Sequence, residues 1–208
     1  MKKDNISPKV EAMYQAVIEL VGEGADLNNL TVAEITGKAG IGKGTAYEYF
    51  SNKEDIIAGA LFYEIRQICE QLYEELPRKK SLYEKIELIL ISMEKNMMEA
   101  NCLLQVLHIM LENSAISERL QELMGFKEKR HGLIVDMMRC VVEDELGALE
   151  EIEESRLTYL TMMLFSRIVC YGMYLYCTFS EKTLDGRTVR ELLCKGVCAD
   201  VENFKAEL

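Results

Sequence analysis

The chain has 208 residues, of which 49% are hydrophobic and 28% charged, and its formal net charge at pH 7 is −11. This length and apolar content suffice to bury a core in one large domain or in a small and a larger unit. Two prolines, no tryptophan and few alternating β-branched runs disfavour a sheet protein. Long segments rich in Leu, Met, Glu and Lys at helical spacing predict an all-α fold.

The charge distribution argues against a protein that binds nucleic acid through many lysines and arginines. Residues 1–63 contain six Lys and nine acidic residues, although residues 31–53 have a local positive balance, with three Lys and two Glu. The N-terminus, MKKDNISPK, lacks the apolar core of a secretory signal, so we expect a cytoplasmic protein. The longest apolar run, residues 161–179, contains Arg167, and a charge is costly inside lipid, which favours a buried interface helix over a membrane span.

The first predicted helix begins at the N-terminal end of the chain. Ser7 stands at its capping position, and Pro8 occupies the first helical position, where the missing N–H costs nothing. Gly22 and Gly24 end this helix, whose apolar stripe is Val10, Tyr14, Val17 and Val21.

The next stretch, TVAEITGKAGIGKGTAYEYF from Thr31 to Phe50, predicts two short helices joined by a tight glycine turn. Thr31 and Glu34 have the spacing of a capping box at the start of the first helix. Gly40 can supply the left-handed conformation that ends it. The second helix is predicted to begin near Gly42–Lys43 and to run to about Tyr49. This arrangement is the helix-turn-helix, whose second helix enters the major groove of DNA.

A nucleotide site is the alternative interpretation of the same glycines. Gly37, Gly42 and Lys43 have the spacing of a phosphate-binding P-loop, but Gly44 stands where that loop requires Ser or Thr. A P-loop also follows a β-strand, whereas the residues before Gly37 are capped and spaced as a helix. The pattern therefore disfavours a nucleotide site.

The run AGIGKGTAYEYFSNKEDI, Ala39–Ile56, resembles the DNA-binding signature of the TetR family of bacterial transcription regulators, and the resemblance extends over Ala12–Leu61. It implies a homodimer without enzymatic activity. A helix-turn-helix DNA-binding domain, residues 1–52, would precede a helical effector-binding and dimerisation domain, residues 53–208. The implied partners are double-stranded DNA with a pseudo-palindromic operator and a small-molecule effector, here expected to be apolar or aromatic.

The residues predicted to contact DNA are Thr31, Lys43, Gly44, Thr45, Tyr47, Tyr49 and Lys53. Gly44 would allow close approach to the groove, and Thr45 could bond a base or touch a thymine methyl. Tyr47, Tyr49 and Lys53 resemble the family's phosphate contacts. Two alternatives stay open: either tyrosine could pack in the small core, and Thr31 could serve only as a helix cap.

Six further helices are predicted beyond the helix-turn-helix. They are a long helix from a Ser51–Glu54 capping box to Pro77, a helix capped by Ser81 and Glu84, a short helix near 102–111, a helix from about 117 to 146 that is bent or broken near Gly125 or Gly132, an apolar helix over 156–180, and a last helix capped by Thr188 and Glu191.

The last two helices are predicted to pair with their twins in a second subunit, because so apolar a helix invites association. The effector pocket is expected between helices four and eight, where Met and aromatic side chains suit an adaptable apolar lining. The alternative for each of these residues is ordinary core. The candidates are Met93, Met97, His108, Met137, Tyr159, Met163 and Tyr171. An effector that favours a splayed dimer would release DNA by population shift.

The sequence contains no nucleophile–base pair, metal-ligand cluster or cofactor motif, so we expect neither enzymatic activity nor a cofactor. The seven cysteines are expected to be buried thiols, with a redox role for Cys194 and Cys198, one helical turn apart, as the alternative. The competing function is a ligand-binding or adaptor protein of the same fold with weak or lost DNA binding, which the acidic charge favours.

Overall fold

The computed structural model describes residues 6–100, 106, 108–109, 112, 114–125, 133–147, 153–176 and 184–206, with side chains described throughout except at 97–100 and 176. These residues contain helices and turns but no β-strand, which confirms the all-α prediction. Among the helices in these ranges, we find none with the length and hydropathy of a membrane span.

The described α-helices, numbered in chain order, are α1 (Pro8–Gly22), α2 (Val32–Ala39), α3 (Lys43–Tyr49), α4 (Lys53–Glu75), α5 (Leu82–Ala100), α6 (Ala115–Leu123), α7 (Leu133–Leu146), α8 (Glu154–Tyr176) and α9 (Gly186–Ala206). A 3-10 turn, Leu76–Arg78, follows α4. The break predicted between 117 and 146 is confirmed, since α6 and α7 are separate and Gly125 has a positive φ of 78°. The short helix predicted near 102–111 lies mostly outside the described residues; residues 106, 108 and 109 are helical.

Two of the predicted helix caps are correct. Thr31 accepts from the Glu34 N–H at 3.2 Å, while the Glu34 carboxylate accepts from the Thr31 N–H at 2.8 Å, so the capping box is complete. The Ser81 hydroxyl accepts from the Glu84 N–H at 3.2 Å. Ser7 precedes α1 but forms no side-chain cap; its hydroxyl instead lies 3.4 Å from the Tyr49 hydroxyl.

The two other predicted caps are wrong by a residue or more. At α4, Asn52 caps instead of Ser51, and its side-chain oxygen accepts from the Asp55 N–H at 2.8 Å. At α9, the Asp185 carboxylate accepts from the Thr188 N–H at 2.8 Å, so Thr188 lies inside the first turn. An amide or carboxylate oxygen is at least as good a cap as a hydroxyl, and the carboxylate also complements the helix dipole.

The structure divides into two compact units. One comprises the described residues of Met1–Ile68 and Asn96–Arg130, and the other those of Cys69–Lys95 and His131–Leu208. The sequence-based division into 1–52 and 53–208 differs from this grouping, because residues 53–68 of α4 and the whole of α6 belong to the first unit. As a functional boundary, that division stays a prediction.

The core of the first unit supports α3 from one side only. Ala46 is fully buried, as are Ile35 of α2 and Leu61 of α4. In the same unit, the ring of Tyr14 lies 5.8 Å from the half-buried ring of Phe50. Ala46 is the only buried residue of α3, so most of this helix lies at the surface.

In the second unit, α8 packs against both α7 and α9. Its buried stripe recurs every three or four residues: Leu157, Leu160, Leu164, Ile168 and Tyr171. Polar contacts fix the neighbouring helices: Arg139 of α7 donates to Glu154 at 2.6 Å, and Lys205 of α9 donates to Glu145 at 2.8 Å. The opposite face of α8 remains exposed.

Candidate nucleic-acid interface and effector site

The turn between α2 and α3 is closed by local backbone contacts. Gly40 adopts the left-handed conformation, with φ 66°, as the sequence predicts. Its N–H donates to the Gly37 carbonyl at 3.3 Å, and the Ile41 N–H donates to the Thr36 carbonyl at 2.9 Å. These bonds pair the last carbonyls of α2 and fix the direction in which α3 leaves the turn.

The exposed surface of α3 contains most of the residues predicted to contact DNA. Lys43 and Gly44 are exposed and Thr45 is half-buried. Tyr47 and Tyr49 retain 53% and 43% of their accessible surface, so the alternative that either packs in the small core is wrong. A Cβ at position 44 would meet no atom within 4 Å beyond its own neighbours and the adjacent backbone of α3, so contact with the rest of the chain does not require glycine there.

Two predicted phosphate contacts are engaged with other parts of the first unit. The Thr31 hydroxyl donates to the Glu34 carboxylate at 2.6 Å in addition to its cap, and these bonds lower the pKa of Glu34. The Lys53 ammonium donates to the backbone carbonyl of Asn28 at 2.7 Å. An ammonium has three N–H donors, so two remain after this bond. The sequence analysis missed Asn28, because a loop residue without helical spacing gives no local signal.

Positive charge near α3 is sparse. Lys38 is paired with Glu23 at 2.6 Å and lies 3.6 Å from Glu19, which neutralises it. Lys43, by contrast, forms no ion pair with any described residue. The surface therefore offers a few cations together with tyrosine hydroxyls, rather than a broad basic patch.

The effector candidates fall into separate places in the structure. Tyr159 and Met163 line an open cavity of about 360 Å³ on α8 and α9, together with Leu160, Arg167, Asp200, Asn203 and Phe204. Met93 of α5 and Tyr171 of α8 are instead buried, and the Met93 methyl lies against Gly172 of α8, where it would clash with a Cβ. Met137 is buried on α7.

The remaining two candidates do not join either group. His108 belongs to the first unit, where it is largely exposed and lies 3.0 Å from Glu112. The side chain of Met97 lies outside the described residues. The described side chains therefore do not line one common pocket, and each candidate's effector role stays a prediction.

The cluster around Tyr171 is polar as well as apolar. Its hydroxyl donates to the Glu94 carboxylate, which also accepts from Arg190 at 2.5 Å. Burial, and then the bond to Glu94, raise the pKa of Tyr171 above its ordinary range. The Arg190 Nε is buried with no hydrogen-bond partner among the described residues. These contacts tie α5, α8 and α9 together.

Comparison with known proteins connects the α2–α3 region to a family. Residues 23–60 match the model described as bacterial regulatory proteins, tetR family. A fatty acid metabolism regulator protein from Bacillus subtilis (strain 168) is 31% identical over 83 residues, which are 40% of this chain and 42% of that protein. The chain thus matches less than half the length of this curated relative.

Solved structures are similar over almost the whole chain. The transcriptional regulator FadR from Bacillus subtilis, in complex with stearoyl-CoA, has a TM-score of 0.67 at 21% identity and covers 89% of this chain and 98% of its own. Thermus thermophilus FadR, a TetR-family repressor in complex with lauroyl-CoA, has a TM-score of 0.57 at 17% identity, covering 91% and 93%. At these identities the likeness establishes the fold.

Proposed function

We propose that this chain belongs to the tetR family of bacterial regulatory proteins, whose model matches residues 23–60, and that it is a sequence-specific DNA-binding transcription regulator. The observation that carries the proposal is the geometry of α3. A left-handed Gly40 fixes its direction and a buried Ala46 supports it. Lys43, Gly44 and Tyr47 lie on its exposed surface. This is the arrangement that a recognition helix needs to enter a major groove.

The proposed regulator is a homodimer that binds a pseudo-palindromic operator. The exposed large apolar side chains of α8 and α9 support this: Met162 and Met173 on α8 and Leu192 on α9 are each more than half exposed in the single chain. A second copy would cover them and would present a second α3 at a spacing set by the DNA repeat.

The proposed effector is a fatty acyl-CoA, and the proposed effect is release of a repressor from its operator. Two similar solved structures are named as complexes with stearoyl-CoA and lauroyl-CoA, and the curated relative is named for fatty acid metabolism. An acyl chain also matches the apolar effector expected from the Met-rich body of the protein. The effector would act by binding the DNA-free form more tightly than the DNA-bound form.

The test begins with selection of bound sequences from random duplex DNA by the purified protein, for which we expect a palindromic consensus. Replacing Lys43 by Ala should weaken binding to that consensus about tenfold or more and reduce the salt dependence. Tyr47→Phe, which removes only a hydroxyl, should have a smaller effect. The matched control is Lys80→Ala, an exposed lysine of the second unit. Stearoyl-CoA should release the duplex, whereas CoA alone should not.

A ligand-binding protein with lost DNA affinity is the second candidate, favoured by the net charge of −11 and the scarcity of cations around α3. The same selection from random duplex DNA distinguishes the two candidate functions. Enrichment of no sequence, combined with binding of stearoyl-CoA in calorimetry, would support this candidate and contradict the regulator.

A further inference from the structure

The side chain of Glu112, which precedes α6, reaches the loop before α2 within the first unit. Its Oε2 accepts from the Asn28 side-chain amide at 3.1 Å, and its Oε1 lies 3.0 Å from His108 Nε2. The backbone carbonyl of the same Asn28 accepts from Lys53 at 2.7 Å. A single loop residue therefore connects Glu112 to a lysine predicted to hold a DNA phosphate.

The orientation of Asn28 is set by its surroundings on both sides. Its N–H donates to the Asp26 carboxylate at 3.0 Å, and the Asn29 side chain donates to the other oxygen of the same carboxylate at 2.6 Å. With Glu112 holding the side chain, both ends of Asn28 are anchored. Its carbonyl therefore fixes the direction of the Lys53 ammonium while leaving two N–H groups for another acceptor.

A second contact, this one from α6 itself, reaches the first turn of α4 two residues beyond Lys53. Arg119 Nε lies 2.9 Å from one oxygen of Asp55, and the other oxygen of Asp55 accepts from the Ser51 N–H at 3.3 Å. Ser51 is two residues beyond Tyr49, where α3 ends, and Asp55 is mostly buried. Glu112 thus reaches the start of α4 through Asn28 and Lys53, and Arg119 contacts the first turn of α4 directly at Asp55.

We propose that Glu112 and Arg119 are positioning residues for DNA binding, Glu112 acting through Asn28 on Lys53 and Arg119 acting through Asp55 on the α3–α4 junction. This inference rests on the proposed function. A carboxylate near a phosphate-binding lysine opposes DNA binding by its charge alone. Its contribution to binding must therefore come from the hydrogen bond that it accepts, and charge and hydrogen bonding can be separated by substitution.

The test measures operator affinity and its salt dependence for the full-length protein on the selected duplex. Glu112→Gln removes the charge but keeps an acceptor, so its affinity should equal or exceed that of the wild type. Glu112→Ala removes the acceptor and should bind about fivefold more weakly than Glu112→Gln, the factor that one net hydrogen bond is worth. In a Lys53→Ala background, this difference between the two variants should vanish.

Arg119→Ala provides an independent variant, with an expected loss of about fivefold on the same grounds. Glu118→Ala is its control, because Glu118 is exposed on the same helix and its side chain forms no hydrogen bond or ion pair with a described residue. Thermal unfolding of every variant separates weakened binding from lost structure. If these residues had a purely structural role, their replacement would lower the thermal stability, and the loss of DNA affinity would be the same with or without Lys53.

The inference is overturned if Glu112→Ala and Glu112→Gln bind the duplex equally, or if their difference survives the loss of Lys53. Wild-type behaviour of Arg119→Ala would remove the second half of the proposal. A wild-type protein that selects no DNA sequence would overturn the proposed function and this inference together, and that outcome is distinct from the others.

Discussion

Two surfaces of this protein leave large side chains in solvent, and they differ in chemistry. On α3 the exposed residues are tyrosines 47 and 49, next to a lysine. On α8 and α9 they are chiefly Met162, Met173 and Leu192, with Tyr159 beside them. Each surface is supported from beneath, by Ala46 under α3 and by the buried stripe of α8.

This difference indicates two kinds of partner. Hydroxyl and ammonium groups keep their hydrogen-bonding capacity at α3, which suits the phosphates and base edges of DNA. Thioether and aliphatic side chains gain free energy only when another apolar surface removes them from water. The type of exposed side chain, rather than exposure itself, therefore distinguishes the proposed DNA interface from the proposed dimer interface.

The largest expected effect comes from placing charge on the apolar surface. Met162→Glu combined with Met173→Glu should convert the proposed dimer to monomers, because each carboxylate buried at an interface costs several kcal/mol. Sedimentation equilibrium measures the change, and circular dichroism checks that the helices remain. Tyr47→Glu combined with Tyr49→Glu is the matched control: it should abolish operator binding and leave the dimer intact. Dissociation into monomers of the Tyr47→Glu, Tyr49→Glu variant would contradict the assignment of the α3 surface to DNA and of the α8 and α9 surface to the dimer.

The next effect tests the support beneath α3. Ile35→Ala removes a fully buried side chain of α2 and should lower the free energy of unfolding by about 2–5 kcal/mol, measured by urea denaturation. Glu48→Ala, on the exposed surface of α3, should change it by less than about 0.5 kcal/mol. Equal losses in the two variants would mean that α3 is not held by a closed core.

A smaller effect is expected on the inner face of α8. Tyr171→Phe removes the hydroxyl that donates to Glu94 and should lower the free energy of unfolding by about 1–2 kcal/mol. Tyr47→Phe removes a hydroxyl that is already in water, and its free energy of unfolding should match the wild type. No loss from Tyr171→Phe would show that the polar cluster does not stabilise the packing of α5, α8 and α9.

The smallest effect concerns the cysteines. Cys69 and Cys194 are buried, and burial raises the pKa of each thiol to about 12. Because the thiolate is the reactive form, both should resist alkylation at pH 8, whereas the exposed Cys140 should react. The unfolding free energy should fall as pH rises from about 9 towards 12, since unfolded thiols ionise first. Peptide mass spectrometry measures the labelling, and rapid reaction of Cys194 would revive the redox interpretation.

The labelling rate of Cys170 tests whether the exposed apolar face of α8 is the dimer interface. Cys170 is exposed in the single chain and shares the outer face of α8 with Met162 and Met173. If the wild-type protein forms the proposed dimer, Cys170 should label more slowly than Cys140, and in the Met162→Glu, Met173→Glu variant the two cysteines should label alike. Equal labelling in the wild type would place the dimer interface elsewhere.

Local signals in the sequence predicted the α2–α3 region closely. The capping box of Thr31 and Glu34, the left-handed Gly40 and the bounds of α3 all depend on groups within a few residues of one another. The same kind of signal failed at Ser51 and Thr188, because a neighbouring Asn or Asp was available as a cap and competed successfully. Where two nearby side chains could both cap the first N–H groups of a helix, the surrounding structure decides which of them does so.

By itself the sequence determined the helical fold, the helix-turn-helix and the exposed residues of α3, because helix periodicity, caps and glycine turns are short-range. The tertiary structure alone decided which distant side chains meet. It joined Asn28 to Glu112 across 84 positions, paired Glu94 with Arg190, and separated the effector candidates into different places. Such contacts depend on how whole helices pack, and residue spacing along the chain does not encode that packing.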